Sequence, residues 1–513
     1  WPRHPYRGEV SLNPTSLTLP RRLTRAFSAF WGGLYDNATL GRGQRYRHTI
    51  LTDTKRALAS YDWQRLLSLG RQLYCNLGEV RGPVLEKAMY AVGNGWIPQF
   101  YGDDQKWGER AEQWLNEHLK ICDVRGEPYD FRTGLYLASV AMDRDGDVGL
   151  VLTESDGGYP MLQWIPAHRI GWTHGDEMLK EGPYRGLSMC NGVIFNALGR
   201  AVAYRVYDEI ADVSTPANQR VYRDISARDM ALLYQPDFHD AGRGVTAFAH
   251  AIKSCFDYLD VHEYERQAVK LASSIGLVEM NESGEADVGK AYIGGNGDTS
   301  AAGVRIEDLD GGSIRYFRAN SGADLKPFVS DRPAENVNEF LEVILRGVYQ
   351  GIGWPYEFTR DASKIGGANV RQIIDKVKRT ILCRQHVLMN AATRYAGYSI
   401  SKAVKLGLIP RSDEWWKWTW QLPEEPTVDL GRESQQDREN FKLGMGTLKQ
   451  WYGKQGRWWL DEIEQRIFER AYVERRCKEL GIDPRGVQLL TPNEIQSDEP
   501  PTREGVKVDK PEE

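Results

Sequence analysis

Residues 240–248 read DAGRGVTAF, and this stretch separates two parts of the sequence that differ in character. Its glycines and arginine end a region of mixed pattern, and Thr246 can cap a helix that follows. From Phe248 to Ile275, apolar residues recur mostly at intervals of three and four, which predicts one long helix. A helix of roughly thirty residues reaches on the order of 45 Å.

The part before this stretch mixes helical and strand-like patterns. Helical spacing predicts helices over residues 52–77, from Pro83 to residue 93 and over about 107–121. Two apolar runs, 135–142 and 148–153, flank a polar turn and predict a β-hairpin. Short alternating runs between residues 160 and 235 predict further strands. This half is therefore predicted to be α+β.

The part after the stretch alternates helices with a β-rich interruption. Residues 276–332 are rich in glycine and carry short strand-like runs, which predicts a small β module between two helices. The remaining predicted elements are an amphipathic helix from Glu335 to Gly351, a polar loop at 354–367, and helices at 368–396, about 432–452 and about 460–480.

Three tryptophans near the end of the chain alternate with other residues. Trp416, Trp418 and Trp420 follow Pro410 and have the period of two that is typical of a strand. Flat aromatic faces can stack on sugars or on bases. Packing in the core or at a subunit interface gives the same pattern, and it is the prediction that we prefer.

The composition excludes several classes of protein. With 513 residues, 41% of them hydrophobic and 11% aromatic, the chain is predicted to fold into two or more units. Its 66 basic and 71 acidic residues give a formal net charge of -5, the wrong sign for a broad surface that neutralises nucleic-acid phosphates. No run approaches the roughly 18 to 20 apolar residues that span a bilayer, so no membrane segment is expected.

The sequence contains no complete catalytic, nucleotide or metal motif. Six cysteines lie far apart without a C-x-x-C pair, which predicts reduced thiols rather than a disulfide framework or a zinc site. Asp143, Asp145, Asp147 and Glu154 have part of the spacing of a calcium loop, but Val148 occupies the position of its turn glycine. A polar hairpin tip is therefore the favoured interpretation, and no catalytic residue, cofactor or metal is predicted.

In their order along the chain, four stretches resemble the portal proteins of tailed bacteriophages, of the lambda type. The resemblance covers roughly residues 35 to 485. The stretches are LGRQLYCN at 69–76 with AVGNGW at 91–96, MLQWIP at 161–166, AGRGVTAF at 241–248, and WPYE at 354–357 with DAS at 361–363 and ANVR at 368–371.

This resemblance implies an α+β portal fold that assembles into a dodecameric ring at one capsid vertex. The terminase large subunit would drive double-stranded DNA through the ring, and a head–tail adaptor and the major capsid protein would contact it, in the virion and in the host cytoplasm during assembly. The implied regions are a basic arm (1–50), a mixed α/β wing (51–245), stem helix one (246–275), a clip (276–333), stem helix two (334–353), a tunnel loop (354–367), a long wing helix (368–398), a helical crown (399–490) and a disordered acidic tail (491–513).

The resemblance also suggests which residues face DNA. Arg360 and Lys364 in the tunnel loop are the first candidates for contact with DNA in the channel. Four acids on the presumed stem helix are candidates for a repulsive channel lining, because a channel for sliding DNA cannot hold phosphates tightly; they are Asp257, Asp260, Glu263 and Glu265. The alternative for each acid is that it faces solvent or pairs with Arg266 and Lys270 on the same helix.

Two other classes of protein remain as alternatives. A carbohydrate-active enzyme would use the tryptophans to line a cleft, with paired carboxylates near Asp143 or Glu154. A different virion protein, such as a head–tail adaptor, would also form a ring. The length of the chain argues against an adaptor, which needs no long pair of stem helices with an inserted module.

Overall fold

The computed structural model describes residues 53, 58, 60–171, 177–208, 221–280, 305–309, 312–317, 324–327, 335–360, 367–426, 435, 438–455 and 457–481. The predictions for the arm at 1–50, for Lys364 and for the tail at 491–513 lie outside these residues.

Helices and strands both contribute to the described part of the chain. Its helices are α1 (Ser60–Asn76), α2 (Gly78–Val92), α3 (Gln105–Leu119), α4 (Phe131–Arg144), α5 (Ile252–Ser274), α6 (Glu335–Ile352), α7 (Tyr356–Thr359), α8 (Gly367–Lys405), α9 (Leu448–Lys454) and α10 (Trp459–Leu480). Its strands are β1 (Ile97–Phe100), β2 (Asp147–Glu154), β3 (Pro160–Pro166), β4 (Glu177–Met178), β5 (Ser188–Cys190), β6 (Val193–Phe195), β7 (Ala201–Tyr207), β8 (Tyr222–Ser226), β9 (Met230–Tyr234), β10 (Ile275–Met280), β11 (Arg305–Leu309), β12 (Gly312–Phe317), β13 (Asp324–Pro327) and β14 (Trp418–Gln421).

Most strand pairs in the sheets are antiparallel. β2 lies at the centre of a three-stranded sheet in the order β3-β2-β9, and β4 to β8 form a five-stranded meander. Between α5 and α6 the strand order is β11-β12-β10-β13, and β10 runs parallel to β12. β1 pairs with β14, so that Phe100 lies opposite Trp418 and a late part of the chain packs against an early part.

The main hydrophobic core joins helices from both parts of the chain. Its buried residues include Val84 of α2, Leu135 of α4, Phe248 before α5, Tyr349 of α6 and Tyr395 of α8. α2 packs against α4, α6 and α8. It therefore contacts the helices on both sides of the 354–367 loop.

The elements with a clear sequence period are confirmed. α6 ends at Ile352 as its amphipathic pattern predicts, and a β module does separate α5 from α6. Trp418 and Trp420 lie on β14 and are each 4% exposed, which confirms that they pack in the core. Trp416 precedes the strand and is exposed.

The predicted hairpin around residues 135–153 is wrong. Residues 135–142 belong to α4, whose first turn is capped by the Asp130 side chain, which accepts a hydrogen bond from the backbone N–H of Thr133 (2.7 Å). Only the second run forms a strand, β2. A helix that is buried on most sides has the same continuous apolar sequence as a buried strand, so the pattern alone could not separate them.

Three helix boundaries also differ from the predictions. Pro83 lies inside α2 rather than in its first turn. α5 begins at Ile252, not at 246, because Thr246 uses its hydroxyl to donate a hydrogen bond to the carbonyl oxygen of Asp143 (3.1 Å) and the chain turns before the helix starts. α8 continues to Lys405, past the predicted end at 398.

Candidate functional site at the base of the 354–367 loop

The first residues of the 354–367 loop, 354–360, are described by the structure. They form a packed aromatic segment. Gly353 has a left-handed backbone conformation (φ 74°), which ends α6 and redirects the chain. The buried Trp354 packs with the rings of Tyr90 and Phe358, at centroid distances of 6.3 and 5.5 Å. The start of the loop is therefore fixed against α2, which carries Tyr90.

Glu86 of α2 connects the two ends of the short helix α7. Its Oε2 atom accepts hydrogen bonds from Trp354 Nε1 (3.0 Å) and from the Thr359 hydroxyl (2.7 Å). Hydrogen bonds to a carboxylate are roughly twice as strong as those between neutral groups. One carboxylate oxygen therefore fixes Trp354, two residues before α7, and Thr359, the last residue of α7, at the same point.

Arg360, the predicted DNA-facing arginine, forms an ion pair with Glu79 of α2. The distance from its guanidinium NH2 to Glu79 Oε1 is 2.7 Å, and the Tyr258 hydroxyl of α5 donates to the same oxygen at 3.3 Å. Burial works to lower the pKa of Arg360, but the contact with Glu79 outweighs it and raises the pKa. The Arg360 side chain is still 39% exposed, so it is accessible from solvent although its charge is paired.

Lys87 links the end of α6 to a buried cluster of charges. Its Nζ donates to the carbonyl oxygen of Ile352 and to Asp143 Oδ1, both at 3.2 Å. Arg384 of α8 donates to the same Asp143 oxygen at 2.5 Å. Burial works to raise the pKa of Asp143, but the charges of Arg384 and Lys87 outweigh it and hold the pKa below its ordinary value. This cluster joins α2, α4, α6 and α8.

The three aspartates that were predicted to form a polar hairpin tip are buried instead. Asp143, Asp145 and Asp147 are each 2% exposed or less, because they lie at the junction of α4 with β2 in the interior of the fold. Asp145 is held by Arg71 and Arg144, each with a 2.8 Å ion pair. Within the described residues, no group of three or more His, Cys, Asp and Glu side chains could hold a metal ion.

Arg243, inside the Gly-Arg-Gly motif, has all five of its donors satisfied. It bonds both oxygens of Asp147, at 2.5 and 2.8 Å. Its other donors reach the carbonyl oxygens of Ile170, Asn191 and Ala167 at 2.6–3.2 Å. A guanidinium has five N–H groups in a fixed plane, and here each one has an acceptor. This residue fixes the chain before α5 to both of the neighbouring sheets.

The glycine after Arg243 is required by a close backbone contact. A Cβ atom at Gly244 would lie 2.0 Å from the carbonyl oxygen of Gly146. Gly146 itself has φ 97°, a conformation that side chains rarely adopt. These two glycines therefore let the loop before α5 touch the α4–β2 junction.

The four candidate acids of α5 do not share one face. Successive side chains on a helix are about 100° apart, so the four acids spread over roughly 200° of the helix circumference, with Glu263 and Glu265 at the two extremes. Asp257 and Asp260 are exposed. Glu263 bonds Gln267 (3.1 Å) and Arg266, and these contacts lower its pKa. In this chain Glu263 therefore has the partner on its own helix that the alternative interpretation expected.

Sequence reasoning missed most of this site. Glu79, Glu86, Lys87 and Arg384 lie within helical segments and have no distinctive spacing. The one usable signal was a charged residue among small and apolar neighbours, as for Lys87 in residues 84–92, because such a position is buried only when its charge is paired.

In the described residues, two helices with a β module between them in sequence are anchored in a mixed helix and sheet body. Residues 41–385, more than half of the chain, match the family described as phage portal protein, lambda family. The chain belongs to this family. No match was found among curated proteins.

Several solved structures match this chain at low sequence identity. One is in the neck of an empty gene transfer agent particle, with 12% identity and a TM-score of 0.45, and it covers 74% of this chain and 89% of that chain. Another, in a native gene transfer agent virion, has 12% identity and a TM-score of 0.43, covering 77% and 95%. An HK97-family phage portal protein from Corynebacterium diphtheriae has 10% identity and a TM-score of 0.29, covering 67% and 94%.

Two further observations concern the described residues. No helix among them has the length and apolar character needed to cross a membrane. All six cysteines are free thiols, four of them buried, in agreement with the sequence prediction.

Proposed function

We propose that this chain forms a ring of twelve subunits at one vertex of a phage capsid. Double-stranded DNA would pass through the ring when the terminase large subunit packages it and again when it is ejected. The ring would contact the major capsid protein and dock the head–tail adaptor in the virion, after assembly in the host cytoplasm. Membership of the lambda family of portal proteins supports this proposal.

The observation that carries the proposal is the pair of helices α5 and α6. The two helices contact each other, and the four-stranded module lies between them in sequence. Cys255 and Tyr258 of α5 and Leu345 and Val348 of α6 belong to the main core. A pair of helices rooted in the core, with a β module inserted between them, fits the stem and clip of a portal subunit.

The remaining regions are proposed from the family resemblance. Residues 51–245 and 368–398 form the proposed wing, and residues 399–490 form the proposed crown. The basic arm at 1–50 would lie on a neighbouring subunit or on the capsid.

The proposed DNA-facing groups are Arg360 and Lys364 in the loop and Asp257, Asp260, Glu263 and Glu265 on α5. Few basic groups in the channel would allow DNA to move, since each neutralised phosphate adds favourable counterion release and slows departure.

The mass of the purified native protein tests the proposal. Native mass spectrometry, followed by class averages of particles seen end-on, should give about twelve copies around a central hole. A chain that stays a monomer or dimer at high concentration would contradict it.

A further inference from the structure

Four polar groups within a short segment bond to the same helix. Between Ile352 and Arg360 these groups are the Ile352 carbonyl, the Trp354 indole, the Thr359 hydroxyl and the Arg360 guanidinium. Their partners on α2 are Lys87, Glu86, Glu86 and Glu79, at 3.2, 3.0, 2.7 and 2.7 Å. The segment is thus attached to α2 along its whole length.

Three residues of this helix share one face toward the loop. Glu79, Glu86 and Tyr90 are separated by seven and four positions, which are the spacings of one helical stripe. Gly82 lies in the same stripe, and a Cβ atom there would already be in contact with the Thr359 methyl group at 3.9 Å. The stripe therefore has a glycine, Gly82, beside Thr359 of α7, and its carboxylates accept the hydrogen bonds of the segment.

The segment is also attached to α6, the preceding helix. Gly353 breaks the helical backbone. Beyond it, the Trp354 N–H donates to the Tyr349 carbonyl oxygen (3.1 Å), the Arg360 side chain bonds the Tyr349 hydroxyl, and the Tyr349 and Tyr356 rings pack at 5.3 Å. Ring contacts are less directional than hydrogen bonds to a carboxylate. The hydrogen bonds to Glu86 and Glu79 therefore add directional contacts with α2 to the contacts that the segment makes with α6.

We propose that Glu86 and Glu79 are the positioning residues of the segment 354–360 at the start of the loop. Glu86 fixes the direction of α7, and Glu79 holds Arg360 and offsets its charge. These contacts attach the segment 354–360 to α2 in addition to its covalent link to α6. The consequence for DNA rests on the proposed function, whereas the mechanical role of Glu86 does not.

Hydrogen exchange in the assembled protein tests Glu86. The amides of Phe358 and Arg360 bond to the carbonyl oxygens of Pro355 and Tyr356 within α7. In Glu86→Ala these amides should exchange at least about tenfold faster, while amides of α4 and α8 exchange as before. Glu86→Gln should restore slow exchange, because its amide oxygen still accepts from the indole and the hydroxyl.

Two outcomes would overturn the role of Glu86. One is unchanged exchange in Glu86→Ala. The other is Glu86→Gln behaving like Glu86→Ala, which would show that the negative charge matters and the shared acceptor does not. Neither outcome depends on DNA, so they are separate from a failure of the proposed function.

Binding of double-stranded DNA to the assembled protein tests Glu79. Glu79→Gln removes the charge that offsets Arg360, so DNA binding should tighten and the slope of log affinity against log salt should steepen by about one or more. Glu474→Gln is the matched control, since Glu474 forms an exposed pair with Arg470 on α10 (3.4 Å) and the change in net charge is the same. Equal effects of the two variants would overturn the role of Glu79.

Discussion

Arg243 and Asp147 form a buried bidentate ion pair, with side chains 1% and 0% exposed. They are separated by 96 residues and join the loop before α5 to the start of β2. A buried pair of this kind contributes little net stability relative to apolar packing, but breaking it leaves an uncompensated charge in the interior. The pair therefore fixes where the proposed stem leaves the body of the subunit.

Replacing Arg243 by lysine should destabilise the protein severely. An ammonium group cannot reach both Asp147 oxygens together with three carbonyl oxygens, so buried acceptors lose their donors. The free energy of unfolding should fall by about 3–5 kcal/mol, as measured by chemical denaturation. Arg379→Lys is the control, because Arg379 is 78% exposed in its pair with Asp375 and should change stability by less than about 1 kcal/mol. Equal midpoints for the two variants would argue against the role given to Arg243.

Two glycines of α6 should respond in opposite ways to alanine. A Cβ atom at Gly351 would lie 1.6 Å from His250 Nε2, so Gly351→Ala should destabilise by about 1–3 kcal/mol. A Cβ atom at Gly347 meets nothing within 4 Å, and Gly347→Ala should stabilise the helix by about 0.5–1 kcal/mol. Thermal unfolding of both variants measures the difference.

The clash at Gly351 gives this prediction a second check. His250→Ala combined with Gly351→Ala should recover part of the lost stability, since the imidazole that meets the new methyl group is gone. If the double variant is as unstable as the sum of the single ones, contact with His250 is not the cause.

Lowering the pH should destabilise the folded protein through protonation of His118. The His118 ring is buried against Trp114 and hydrogen-bonded to the Tyr395 hydroxyl (2.7 Å), and burial lowers its pKa to about 4. The unfolded chain takes up a proton below about pH 6.5, whereas the folded chain keeps the ring neutral. The stabilising contribution is therefore complete above about pH 6.5 and is lost as the pH falls toward 4, up to about 3 kcal/mol.

Denaturation midpoints at pH 7.5 and pH 5 measure this effect. His118→Phe should reduce the difference between the two midpoints, and the exposed His239→Gln should not. Some pH dependence will remain in His118→Phe, because burial also lowers the pKa of His168 to about 4. A pH difference in His118→Phe as large as that of the natural chain would contradict the prediction.

The cluster of Lys87, Asp143 and Arg384 should be more sensitive to the loss of its acid than to the loss of all its charges. Asp143→Ala leaves two buried cations together and should cost about 3–5 kcal/mol. Changing all three residues to apolar ones of similar size, as Lys87→Met, Asp143→Leu and Arg384→Met, should recover most of that cost. Chemical denaturation measures the free energy of unfolding of the single and triple variants. A triple variant that is less stable than Asp143→Ala would contradict this account.

Sequence periodicity predicted the elements whose burial is one-sided. α6 and β14 are examples, because one face is apolar and the other polar, and the period is then visible. α4 was mistaken for a strand because its sequence is apolar or small on nearly every side. The family resemblance gave the order of regions, which periodicity does not contain.

The site itself could not be predicted in this way. Glu79 and Arg360 are 281 residues apart in sequence, and neither has a neighbour that reveals the pairing. Arg360 was chosen as a group that touches DNA, and that remains a prediction, now with a carboxylate beside it that a phosphate would have to replace. The three aspartates at 143, 145 and 147 were noticed, but spacing does not show whether a carboxylate meets solvent or a buried arginine.

The pairing of β1 with β14 limits when a newly made chain can finish folding. The ribosome releases Ile97–Phe100 long before Trp418–Gln421, and until then Phe100 and Trp107 lack the Trp418 ring that packs on both of them. A nascent chain that has not reached Gln421 therefore carries an unpaired strand edge beside an uncovered aromatic surface. The chain must therefore be synthesised as far as Gln421 before this part of the fold can close.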